Sequence, residues 1–107
     1  MNTPTVINSP PDILKNSRIS LHMDTCQAFV GKREINLTIT EFNLLACFLE
    51  NAGKALTRAA LLRAVWGKSY QGTERTVDTH IQRLRSKLGN GGFTILTVRG
   101  VGYRLEK

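Results

Sequence analysis

Residues 75–89, RTVDTHIQRLRSKLG, decide how the rest of the chain is read. Val77, Ile81, Leu84 and Leu88 are spaced four, three and four apart, which places them on one stripe of an α-helix. At about 100° per residue, Arg75, Thr79, Gln82, Arg83 and Ser86 fall on the opposite face. Thr76, His80 and Lys87 flank that face on one side, Asp78 and Arg85 on the other. One side of the helix is expected to enter a core. The other offers guanidinium, amide and hydroxyl donors, the groups that base edges and phosphates accept. A solvated surface helix carries charges too, so the flanking sequence has to decide between the two readings.

Charge is distributed in a way that favours a polyanionic partner. Residues 1–57 carry five Lys/Arg and five Asp/Glu, and residues 58–107 carry ten and three, so the whole net charge of +7 sits in the second half. Nucleic acid or an acidic membrane surface would suit such asymmetry, although plain solubility is served as well. The 107 residues have room for one domain with one core. No apolar run approaches the roughly 18 residues that span a bilayer, and the N-terminus lacks a basic segment followed by an apolar one. The expectation is a cytoplasmic protein with no membrane partner. Cys26 and Cys47 are far apart, with no CxxC and no His at ligand spacing, so neither a metal site nor any cofactor is expected. Cys47 reads as a buried small hydrophobe, and a disulfide is not expected in a reducing compartment.

In chain order, residues 1–17 (MNTPTVINSPPDILKNS) hold all three prolines and read as a flexible tail or linker, leaving 18–107 as the domain. Residues 18–37 read as a small antiparallel sheet. Ile19 and Leu21 alternate with polar neighbours, Asp24-Thr25 suits a turn, Cys26, Ala28 and Val30 alternate, and Gly31-Lys32 suits a hairpin before Ile35 and Leu37. Thr38 and Glu41 have capping-box spacing, and Ile39, Phe42, Leu45 and Leu49 follow at helical spacing with Leu44 and Phe48, until Gly53 offers a stop. Thr57 caps a short helix to about Val65 that buries Leu61, Leu62 and Val65. Residues 66–73, WGKSYQGT, read as a loop, with Trp66 at a core edge and its indole N–H available to a phosphate. After helix 75–89, Asn90, Gly91 and Gly92 tolerate positive φ. Residues 93–105 then read as a hairpin, with Phe93, Ile95 and Thr97 on one face, Arg99 at the tip and Arg104 behind it.

Helix, short helix, basic-faced helix and basic hairpin, in that order, make an α+β winged helix-turn-helix with an N-terminal antiparallel sheet. In that arrangement the first two helices hold the third across a major groove, and the hairpin adds a contact at the backbone or minor groove, where an arginine is drawn to negative potential. The sequence resembles the DNA-binding domain of OmpR/PhoB-type response regulators over roughly 18–105. The resemblance is carried by Thr40-Glu41-Phe42 with Leu44-Leu45, Leu61-Leu62 with Val65-Trp66-Gly67, Arg75-Thr76-Val77-Asp78 with His80-Ile81 and Leu84-Arg85, and the run Thr97-Val98-Arg99-Gly100-Val101-Gly102-Tyr103-Arg104.

That resemblance implies roles by position. Arg83, with Thr79 beside it, would reach base edges. Trp66, Arg75, Thr76, His80, Arg85 and Tyr103 would hold phosphates. Thr97 and Arg99 would lie at the wing, with Arg99 in the minor groove, and loop 66–73 would meet RNA polymerase. Lys87 is read from its place on the helix as a phosphate contact that does not distinguish sequences. Gln82 and Ala60 depart from the family's usual polar residues at their positions, which bears on base preference and on the second helix cap. The family's usual chain begins with a phosphorylatable receiver domain, which these 107 residues do not hold, so the expectation is a separated effector domain, with a protein lacking its own receiver as the alternative. Alone it would be a monomer; on DNA, a head-to-tail pair on direct repeats.

Two other functions compete with this one. A winged helix reused for protein or RNA contacts is disfavoured by the arginines at positions 83 and 99. Enzymatic work by His80 with Asp78 or Cys47 is rejected: residues two apart on a helix point about 160° apart, and no nucleophile elbow, metal set or phosphate loop occurs.

Overall fold

The computed structural model describes residues 12–89 and 94–106. The chain runs β1 (Ile13–Lys15), β2 (Ile19–His22), β3 (Gln27–Val30), β4 (Arg33–Ile35), α1 (Ile39–Glu50), β5 (Ala55–Thr57), α2 (Arg58–Trp66), α3 (Arg75–Leu88), β6 (Ile95–Val98) and β7 (Gly102–Leu105).

The first four strands form an antiparallel meander in the order β1-β2-β3-β4. Period-two alternation sets its register: Leu21 lies opposite Ala28, and Ala28 opposite Ile35, so these side chains share the core face. Two expectations need correction here. The sheet reaches into the stretch read as a tail, because Leu14 pairs with Leu21 and packs on the core. Asn16 makes the turn between them, its side-chain oxygen accepting from the amides of Arg18 and Ile19 at 2.9 and 2.8 Å. The remainder of that stretch, residues 1–11, lies outside the described residues. Cys26 is not in the strand either. It sits exposed in the β2–β3 turn with φ +56°, and the alternation starts at Gln27.

Helix α1 begins as its capping box predicts, with Thr38 accepting from the Glu41 amide and Glu41 reaching back to the Thr38 amide. Phe42, Leu44, Leu45, Phe48 and Leu49 are buried, and half-buried Cys47 packs beside them. Ile39, counted in the same face from spacing, is 64% exposed. Side chains lean toward a helix's N-terminus, and a first-turn residue has no preceding turn to cover it. The helix stops at Asn51, whose side-chain amide donates to the Cys47 carbonyl at 2.8 Å, two residues before Gly53.

Thr57 does two things. It ends β5, a strand not expected from sequence, and its hydroxyl accepts from the Ala60 amide to cap α2. Helix α2 buries Leu61, and Gly67 at φ +92° ends it. The second sheet has the order β5-β7-β6, with Leu56 and Thr97 on either side of Tyr103. Helix α3 closes at Gly89 (φ +60°), whose amide donates to the carbonyls of Arg85 and Ser86. The residues expected to end it, Asn90, Gly91 and Gly92, and the hairpin's Phe93, lie outside the described residues. Val77, Ile81, Leu84 and Leu88 are each 0% exposed, as their spacing requires. At about 1.5–3 kcal/mol for each fully buried side chain, this stripe fastens α3 to the body of the domain.

Candidate nucleic-acid interface

Burial of that stripe turns Arg75, Thr79, Gln82, Arg83 and Ser86 outward, all of them exposed. The Thr79 hydroxyl donates back to the Arg75 carbonyl at 3.3 Å, which steadies its rotamer. Arg83 makes no hydrogen bond or ion pair among the described residues, and neither does Arg99 at the exposed turn after β6. Thr97, one residue nearer the body of the wing, is exposed as well.

One flank of α3 is aromatic. His80 stands edge-on to Trp66, ring centroids 5.0 Å apart at 78°, and Trp66 in turn meets Tyr70 at 6.2 Å. The Nδ1 of His80 lies 2.8 Å from the Thr76 carbonyl, an acceptor only, so Nδ1 carries the proton and donates. The loop after α2 folds over this stack. A Cβ on Gly72 would fall 2.3 Å from the Tyr70 ring, so a side chain there would push that exposed ring aside.

The other flank is polar and ties α3 to α2 and the wing. Asp78 Oδ1 accepts from Arg58 Nε at 2.7 Å and from the Tyr103 hydroxyl at 2.6 Å. The guanidinium of Arg85 donates to the Ile95 carbonyl at 2.7 and 3.1 Å and to Thr97 Oγ1 at 3.0 Å. Arg58 and Arg85 lie 5.2 and 5.4 Å from the centre of the Tyr103 ring, within cation–π range. Burial alone would raise the Asp78 carboxyl's pKa, but the bonds from Tyr103 and Arg58 outweigh it and hold the group below its ordinary value. Burial and the facing Asp78 carboxylate push the Tyr103 phenol up, so it keeps the proton it donates. Between α3 and β6 runs an open groove of about 540 Å³, lined by Gln82, Arg85, Ser86, Gly89 and residues 95–97.

Of the residues singled out from sequence, Arg75, Thr79 and Arg83 share one exposed face, with Thr97 and Arg99 on the wing. Trp66, Thr76 and His80 are half-buried at its edge. Tyr103 is only 5% exposed and its hydroxyl is engaged with Asp78. The Arg85 head is held by the wing, and Lys87 Nζ sits 2.6 Å from Glu41 Oε1. The long-range pairings of Glu41, Arg58 and Asp78 were not legible in the sequence, where Glu41 reads only as a cap and Asp78 as a flank residue: they lie 46, 20 and 25 residues from the groups they hold, beyond any local pattern. No cluster of His, Cys, Asp or Glu among the described residues could hold a metal ion, and none of their helices is long and apolar enough to cross a membrane.

A helix with its apolar stripe locked inward, its donors outward and a hairpin bolted to its side defines the winged helix-turn-helix class. Residues 32–105 match the family described as "Transcriptional regulatory protein, C terminal", and the chain belongs to it. It is 43% identical over 90 residues to the transcriptional regulatory protein VxrB of Vibrio cholerae serotype O1, a match covering 84% of this chain and 36% of VxrB. The chain spans less than half the length of such curated relatives. Among solved structures, the DNA-binding domain of the response regulator AdeR, in complex with an intercistronic region, superposes with a TM-score of 0.78 at 31% identity, covering 88% of this chain and 99% of that one. DrrB, a Thermotoga maritima OmpR/PhoB homolog, superposes with a TM-score of 0.80 at 29% identity, over 90% of this chain and 45% of DrrB. The family and these relatives are named for transcriptional regulation, not for catalysis.

Proposed function

We propose that this chain is the effector domain of a two-component response regulator that recognises a specific double-stranded DNA site to control transcription, with α3 in the major groove and the wing along the adjacent backbone and minor groove. The observation that carries this is the contrast on α3. Four apolar side chains are fully buried on one side, while Arg83 stands on the other without a partner among the described residues. Arg83 and Thr79 read base edges; Arg75, Thr76, Trp66 and His80 hold phosphates; Arg99 enters the minor groove beside Thr97. Arg85 and Tyr103 fix the wing against α3. AdeR's domain, solved on DNA, supports the same use of the fold.

A phosphorylatable receiver domain governs the effector domain in the cytoplasm. Two copies sit head to tail on direct repeats, while the chain alone is a monomer. Residues 66–73, with Tyr70 folded against Trp66, present a surface to RNA polymerase. The test is fluorescence anisotropy over a salt series, using a duplex selected from a random pool and its scramble. Strong preference for a direct repeat spaced by about one helical turn is the expected result. A steep salt slope without preference would reduce the chain to a degenerate basic module. Absence of binding even at low salt would favour a protein-interaction role.

A further inference from the structure

Glu41 is a buried carboxylate in the first turn of α1, 2% exposed, and it has two jobs. A single oxygen, Oε1, accepts from the Thr38 amide at 2.9 Å and from Lys87 Nζ at 2.6 Å. The first bond closes the α1 cap. The second reaches α3 in its last turn, one helical turn beyond Arg83. We propose that Glu41 and Lys87 form a clamp that sets the roll of the recognition helix, so that both are positioning residues for base reading and Lys87 makes no phosphate contact. The inference rests on the DNA-binding reading above and adds to it a determinant of specificity that lies off the contact surface.

The apolar stripe alone does not fix the roll of α3. Hydrophobic burial holds α3 down, but it is non-directional and tolerates small rolls and slides. Hydrogen bonds carry direction. Helix α3 has such ties at both ends. Asp78 in its first turn holds Arg58 of α2 and Tyr103 of β7, and Lys87 in its last turn holds Glu41 of α1. Nine residues apart, these two points lie about 13 Å apart along the helix axis, with Arg83 between them. A roll of about 10° moves a group about 6 Å from that axis by about 1 Å, enough to break a bidentate contact with a base.

Charge reinforces the assignment. Lys87 stands at the flank of the reading face, where a cation looks like a phosphate ligand. Moving it to a phosphate would leave the Glu41 carboxylate buried without its cation, and a buried charge is tolerated only when paired. The short Nζ–Oε1 distance is that of a charge-assisted bond. Lys87 therefore stays with Glu41 when DNA binds, its side chain 39% exposed and its charge paired with a carboxylate that is buried.

The experiment compares the native chain with Lys87→Met, Lys87→Arg, Glu41→Gln and the Lys87→Met/Glu41→Gln double variant. Anisotropy is read on the selected and scrambled duplexes across a salt series, and each variant's fold is checked by its unfolding midpoint. Lys87→Met should lower the preference for the selected duplex roughly threefold to tenfold, the strength of one hydrogen bond. Its scramble affinity and salt slope should stay unchanged. Glu41→Gln should do the same, the double variant should be no worse than the poorer single, and Lys87→Arg should restore preference. Should Glu41→Gln fail to fold, Lys87→Met and Lys87→Arg still decide the matter. A salt slope lower by about one with Lys87→Met, with equal losses on both duplexes, would make Lys87 a phosphate contact and overturn the clamp. Unchanged preference in both Lys87→Met and Glu41→Gln would overturn it too. If the native chain itself shows no preference, the DNA-reading function fails and takes the clamp with it; preference in the native chain with a changed slope in the variant sinks the clamp alone.

Discussion

Arg83 and Arg85 are separated by one leucine and have opposite fates. Arg83 is exposed without an internal partner, whereas Arg85 is half-buried, with three donor contacts to the wing and its guanidinium near the Tyr103 ring. Two residues on a helix are about 200° apart, so when Leu84 between them is buried the two guanidinium groups leave on different sides. The outward one was legible from periodicity alone. The fate of Arg85 was not, because its acceptors, the Ile95 carbonyl and the Thr97 hydroxyl, belong to a strand whose place beside α3 no local pattern gives. Replacing Arg83 by Ala should weaken binding to the selected duplex by about 1–3 kcal/mol and relax preference at one base position, with little change on the scramble. Equal losses on both duplexes would show that Arg83 meets only phosphate.

Among the elements, those whose signal is local matched the sequence reading. The capping pair Thr38 and Glu41 placed the start of α1, Thr57 placed α2, and the stripe of Val77, Ile81, Leu84 and Leu88 placed α3 to within a residue of its end. The elements that escaped are three-residue strands. β1 is hidden beside prolines, and β5 is too short to alternate; its partner lies some fifty residues along the chain. β5 is nevertheless what anchors the wing, through pairing with β7. At Gly102 the two backbones leave no room for a side chain: a Cβ there would lie 2.2 Å from the Leu56 carbonyl oxygen and 3.1 Å from Thr57 Cα. Neither is a movable side chain, so Gly102→Ala must part the strands. The expected cost is about 1–3 kcal/mol, lowering the midpoint of thermal unfolding by about 4–8 °C for each kcal/mol. Amide protection in β7 should fall more than in α1, and an unchanged midpoint would mean that the wing is not held through β5.

For the molecule as a whole, two carboxylates join the elements, and both lose their function in acid. Burial would raise the Glu41 carboxyl's pKa, but the Lys87 and Thr38 bonds overcome it and bring it below its ordinary value, as Tyr103 and Arg58 do for Asp78. A carboxyl whose pKa is lowered by folding adds stability that is complete above its unfolded value, about 4, and disappears as pH falls through the folded one. The unfolding midpoint should therefore hold level from neutral pH to about 5 and drop below about 4. Asp78→Asn should flatten that drop, and a profile identical to the native one would remove Asp78 from the acid response. The two carboxylates stand out only when three helices and a sheet are assembled, which is why charge counting along the chain saw the basic excess and missed the joints. The strand order β5-β7-β6 has one more consequence, for synthesis. The middle strand of the second sheet is the last of the described elements to be translated. Until residues 102–105 emerge from the ribosome, β5 and β6 lack their shared partner and leave open edges to neighbouring chains. Helix α3 waits with them, because Asp78 accepts from the Tyr103 hydroxyl of β7, so the reading helix and its wing are secured together and the interval before is when the chain is most exposed to aggregation.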